Sequence, residues 1–191
     1  MKMYNLFKNK LMKKILLAVI FFAGLASFSI AHAVTLNPLG ISQNLGSQIS
    51  NSTLTQARCD KITKAIENRI NTFEERRNFH IPAYENIKSR LDKMITKLEA
   101  LGYDLTDIKS DVSTLNNKIS KLKSDYTAFL NKLNEIKNYA CDHTNSEVKV
   151  KLVEARTLLK NIKSGDDEIR NYIKNVIKQD ILEIKNQKQS N

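Results

Sequence analysis

Cys59 and Cys141 carry the strongest intrinsic chemistry in this 191-residue chain, and they are its only cysteines. Their spacing is not Cys-x-x-Cys, so a redox-active dithiol is disfavoured and a structural disulfide is the expectation. Such a bond closes a loop of about 80 residues and stabilises by about 4 kcal/mol in the chain-entropy account. The histidines offer less. His80 and His143 stand well apart in sequence, and a zinc or copper site would need more ligands converging on either one. No metal and no cofactor is expected. Asp142 and His143 beside Cys141 have the residue types of a base and a nucleophile, but an oxidised cysteine attacks nothing. Asp166-Asp167-Glu168 lacks the alternating oxygen ligands of a calcium loop and reads as negative charge at a helix start. With no catalytic constellation, the chain is read as a non-enzyme. The remaining candidates are for partner contact: Arg69, Arg76 and Arg77, which cluster in sequence, and Tyr103, expected to be exposed at a hairpin tip.

The elements that position these residues are legible from periodicity. Leu105, Ile108, Val112, Leu115, Ile119, Leu122, Tyr126, Phe129, Leu133, Ile136 and Ala140 recur at alternating steps of three and four. A stripe of this period is buried only when a long helix lies against other helices. An earlier stretch carries two seams, Cys59-Ile62-Ile66 and Tyr84-Ile87-Leu91-Met94-Leu98-Leu101, offset by one four-residue step as in a coiled-coil stutter. Phe73, Tyr84, Tyr126 and Phe129 fall on seam positions and are read as core. Pro82 predicts a kink or short break around Asn78–Ala83, because proline lacks an N–H and disfavours helix at the preceding residue. Gly102 suits the left-handed residue after a helix end, with Asp104 or Thr106 as the next cap. A third stretch places Leu152, Ala155, Leu159, Ile162, Ile169, Ile173, Val176 and Ile184 on one stripe, its phase running through Gly165. One continuous third helix is expected, capped by Asn145 or Ser146.

The result is an all-α fold, an elongated antiparallel up-down-up three-helix coiled-coil bundle. Its helices span about 53–101, 105–140 and 146–187, which at the α-helical rise makes a rod about 55–65 Å long. Reflecting Cys141 through a tip at Tyr103 lands near Ala65, about six residues from Cys59, so a straight unbroken first helix would hold the sulfurs apart. An irregularity near Pro82, or an extended stretch before Cys141, would close the gap.

Residues 1–33 have the three parts of a secretory signal peptide. Lys2, Lys8, Lys10, Lys13 and Lys14 precede an apolar run from Ile15 to Ala26, and Ala31-His32-Ala33 fits cleavage before Val34. An uncleaved anchor is the alternative, and it would be the only contact with a membrane. Residues 34–52, with Pro38, Gly40, Gly46 and many Ser, Asn and Gln, read as a flexible leader, and 188–191 as a polar tail. Five of the 31 Lys and Arg lie in the signal, so the formal charge of +11 falls to +6 once it is removed. That charge is spread among acids and lacks aromatic stacking platforms, which argues against specific nucleic-acid binding.

Arg58-Cys59-Asp60, Pro82-Ala83-Tyr84, Leu101-Gly102-Tyr103-Asp104, Tyr139-Ala140-Cys141-Asp142-His143 and Glu154-Ala155-Arg156-Thr157-Leu158-Leu159-Lys160 carry a resemblance. Together they resemble a group of uncharacterised secreted coiled-coil and helical-bundle proteins of small-genome bacteria. The resemblance covers most of the chain beyond the signal and implies the architecture, with no activity attached. The functional expectation is an exported, non-enzymatic protein of periplasm, cell surface or extracellular space that presents a rigid helical rod to a protein or envelope polymer. The alternative is a periplasmic holdase-type chaperone for exported proteins. Self-association through the heptad surface is a third expectation, since an a/d stripe serves internal and external packing alike.

Overall fold

The computed structural model of the chain describes residues 56–141 and 145–187. The expected signal peptide with Ala31, Ala33 and Val34, the leader 34–52, the helix start at Thr53, Asp142, His143 and the tail 188–191 lie outside the described residues.

Helix α1 runs Gln56–Glu99, α2 Thr106–Tyr139 and α3 Asn145–Tyr172; a π-helical turn, Ile173–Ile177, continues directly into α4, Lys178–Gln187. The last three segments form one uninterrupted helical arm, so the described residues make an all-α three-helix bundle with no strand among them. All eleven members of the α2 stripe are buried, none more than 5% exposed. Phe73 and Tyr84 are core as well.

Backbone packing divides the described residues into two compact units. One combines 56–87 with 116–169. There the Phe73 and Phe129 rings meet edge to face at 4.7 Å, and Lys137 reaches Glu67 at 3.7 Å, fixing α1 and α2 as antiparallel neighbours. Lys132 meets Glu154 at 2.9 Å, Lys118 meets Glu168 at 3.5 Å, and Lys151 also pairs with Glu135, fixing α3 antiparallel to α2. Gly165 sits in mid-helix where α3 passes close to α2: a Cβ built there would stand 3.3 Å from a terminal methyl of the buried Leu122. Close approach, rather than a turn, accounts for this glycine.

The other unit combines 88–115 with 170–187. Its hairpin turn closes as the sequence suggests. Gly102 has φ +77°, the Tyr103 N–H donates to the Leu98 carbonyl (3.4 Å) and the Gly102 N–H to that of Glu99 (2.9 Å). These two bonds are the Schellman pattern, which satisfies carbonyls the helix end would otherwise orphan. Asp104 Oδ1 then accepts from the Thr106 N–H (3.1 Å) and hydroxyl (2.8 Å), capping α2.

Two expectations need correction. First, α1 is unbroken across Asn78–Ala83, with Pro82 inside it. Pro82 and Asn78 both lie on the exposed side of the helix, so the carbonyl freed by the missing N–H faces water and keeps a hydrogen-bonding partner there. Second, no break is needed to bring the cysteines together: Cys59 and Cys141 are disulfide-bonded with Cα atoms 5.2 Å apart. The Phe73–Phe129 contact is centred in sequence on residue 101, so the reflection point lies earlier than Tyr103. The turn at Ala140–Cys141 takes up the small remainder.

The bond spans 82 residues of sequence, so its loss should raise the entropy of the unfolded chain substantially. Replacing both cysteines by alanine should cost about 4 kcal/mol of stability. Urea unfolding of the variant against the oxidised parent measures this, and an unchanged midpoint would contradict it.

Candidate interaction surface

The unit formed by 56–87 and 116–169 joins three polar side chains that sequence spacing does not relate. His80 and Tyr84, one turn apart on α1, both face Asp166 of α3. The Tyr84 hydroxyl donates to Asp166 Oδ1 at 2.6 Å, and His80 Nδ1 lies 3.4 Å from the same oxygen. Tyr84 is buried, while His80 and Asp166 are half-buried. Asp166 therefore does not open a helix after Gly165; it fastens α3 to α1 beside Pro82. A histidine oriented by a carboxylate is an element of acid–base catalysis.

Phe79 stands next to this junction, 68% exposed, with its ring edge against His80 at 5.4 Å. The sequence reading missed it. The available signal was an aromatic residue off both seams of α1, with no interior position to explain it. Val150, Val153 and Leu182 are exposed apolar side chains of the same kind on the third arm.

The arginines do not act as one cluster. Arg76 is exposed and its guanidinium lies over the Phe73 ring, 5.1 Å from the centroid, a cation–π contact on a core aromatic. Arg77 is half-buried. Arg69 is half-buried too, and burial, then the charge of Arg76, lowers its pKa from the ordinary arginine value. With Ile66, Phe129, Leu133, Leu152 and Arg156 it lines a shallow apolar cleft of about 30 Å³, room for a single water. Tyr103, expected to be exposed, is half-buried instead, and burial raises its phenol pKa. The Schellman turn that places Gly102 outward folds the next side chain back against the bundle end.

A charged network spans α2 and α3 in the same unit. Lys132 bridges Glu135 (2.5 Å) and Glu154 (2.9 Å), while Lys151 also pairs with Glu135. Hydrogen bonds from Lys132, then Lys151, hold Glu135 down to a pKa of about 2. In the unit formed by 88–115 and 170–187, Tyr172 donates to Asp111 Oδ1 at 2.7 Å, and Asp180 is the only buried charged residue among the described residues. Among the described residues, no group of three or more His, Cys, Asp or Glu is placed to hold a metal ion.

Comparison with known proteins places no further constraint: no family model, no curated protein and no solved structure matches the chain.

The junction should behave as a coupled pair. Tyr84→Phe should cost about 1 kcal/mol, the net worth of one hydrogen bond, and Asp166→Ala about 1–3 kcal/mol, because it removes the acceptor from a buried phenol. The double variant should cost less than the two losses together. Urea unfolding of the four proteins in this cycle measures it; strict additivity would show the contact to be energetically idle.

Proposed function

We propose that this protein is a non-enzymatic, exported component of the cell envelope or extracellular space. It acts by presenting helical faces to another macromolecule, a protein or an envelope polymer. One observation carries the reading: the side chains with chemical potential are spent on fastening helices together. Cys59 is bonded to Cys141, while His80 and Tyr84 are held on Asp166. What faces outward is helical surface, charged and interspersed with exposed apolar residues, of which Phe79 is the most accessible. A disulfide of this span favours an oxidising compartment. No helix among the described residues is long and apolar enough to cross a membrane.

A specific observation also favours the holdase reading. Phe79, Val150, Val153 and Leu182 are exposed large apolar side chains on two different arms, and several separate apolar contacts suit weak capture of many unfolded clients. Isolated exposed apolar residues are also ordinary on protein surfaces, so this reading stands second.

Phe79 supplies the test. A photo-crosslinking residue at position 79, compared with one at exposed Asn117, should capture one or two recurrent partners in intact cells. A broad set of unfolded exported proteins would transfer the assignment to the chaperone. Equal background capture at both positions, or a turnover abolished by a single substitution, would overturn the interaction reading. Phe79→Ser should leave stability within about 0.5 kcal/mol of the parent, as expected of an exposed site, while lowering capture.

A further inference from the structure

The buried positions of the third arm are Val148, Ala155, Ile162, Ile169, Ile177 and Ile184. They advance by seven residues at every step but one, the eight-residue step from Ile169 to Ile177, and the π-helical turn Ile173–Ile177 lies within that step. Had the heptad continued without it, Val176 and Glu183 would be the inward positions. With one residue inserted, Ile177 and Ile184 point inward, while Val176 is half-buried and Glu183 exposed. The same phase leaves Asp180, three residues past Ile177, facing the interior at 8% exposure.

Asp180 meets no cation there. Asp111 of α2 is its hydrogen-bonded neighbour, and the other charges acting on it most strongly are Asp107 of α2 and Glu183 of its own arm. No charged group of α1 is among them. Asp111 itself accepts from the Tyr172 hydroxyl, which also interacts with Thr114. Asp180 Oδ2 is buried with no hydrogen-bond partner. Two carboxylates facing each other without a cation cannot both be ionised cheaply, and a shared proton relieves the repulsion.

We propose that Asp111 and Asp180 form a proton-operated latch that fastens the π-helical turn and α4 to the start of α2, closed while Asp180 keeps its proton and released when Asp180 ionises. In the closed state the protonated Asp180 carboxyl donates to Asp111, and Tyr172 orients that acceptor. On opening, the proton passes to water and two facing carboxylates remain. The end of the arm then relieves their repulsion by moving the Asp180 side chain into solvent.

The direction of the response follows from linkage. Burial first, then the charge of Asp111, raises the Asp180 pKa from 3.8 to about 6. A group raised on folding contributes stability that is fully present below its unfolded value and is lost as pH rises through its folded value. The latch therefore opens between pH 5 and 7, the opposite sense to Glu135, whose depressed pKa of about 2 removes stability only as pH falls toward that value.

Backbone hydrogen exchange of the full chain, disulfide intact, tests this between pH 5 and 7.5 after correction for intrinsic exchange. Protection across 173–187 should fall by roughly tenfold or more as pH rises through 6, while 119–136 of α2 stays protected. In Asp180→Asn, which keeps a donor for Asp111, the 173–187 protection should not change with pH. A parent with no pH-dependent loss, or a variant with the same loss, would overturn the latch. Carbon-13 titration of the Asp180 carboxyl in the unmodified protein decides independently of how the variant folds. A midpoint near 6 supports the latch and one near 4 removes it.

Discussion

Burial of the α2 stripe is the constraint on which the remaining structure depends. Eleven side chains from Leu105 to Ala140 are nearly sealed from water, and full burial of a large aliphatic or aromatic side chain is worth about 1.5–3 kcal/mol. A single helix cannot bury them, and one neighbour would leave part of the stripe wet. Leu130, off the stripe, is buried as well, as expected of a middle helix with a partner on either side. The partners pay for this with narrower faces of their own. Ile62 and Ile87 of α1, and Leu152 and Leu159 of α3, are only half-buried although each sits on its helix's stripe.

Polar contacts set register rather than supply the bulk of the stability. The Lys–Glu pairs between helices lie at the surface, where such pairs are typically worth 0–1 kcal/mol. The Tyr84–Asp166 bond differs because the phenol is buried, and a shift of α3 along α1 would break it. Asp180 is the local contradiction. A sequence optimised only for stability would place an apolar residue at that interior position, and departures of this kind concentrate where a protein does something other than fold.

The two phase shifts in the bundle are handled differently, for a geometric reason. In α1 the buried positions run Phe73, Ile81 and Tyr84, and Tyr84 stands eleven residues beyond Phe73. At about 100° per residue this overshoots three full turns by only about 20°, so an α-helix absorbs it without changing its hydrogen bonding. The eight-residue step from Ile169 to Ile177 overshoots two turns by about 80°. A regular helix would turn Ile177 by that angle away from Ile169, and the π-helical turn takes up the extra residue instead.

What the sequence determined by itself was direction around each helix axis. The α2 stripe, the continuity of the third arm through Gly165, the left-handed Gly102 with its Asp104 cap, and the pairing of Cys59 with Cys141 were all legible, because helical periodicity, turn chemistry and cysteine count are local properties. The tertiary structure alone decided how far one helix slides along another. That registration let Pro82 face water inside an unbroken α1 and left Phe79 outside. It also brought Asp166 to Tyr84 and His80, and Asp180 to Asp111, across separations of 82, 86 and 69 residues. Periodicity fixes which way a side chain points, whereas the residue it meets depends on the summed packing of whole helices, to which no single position in the sequence gives access.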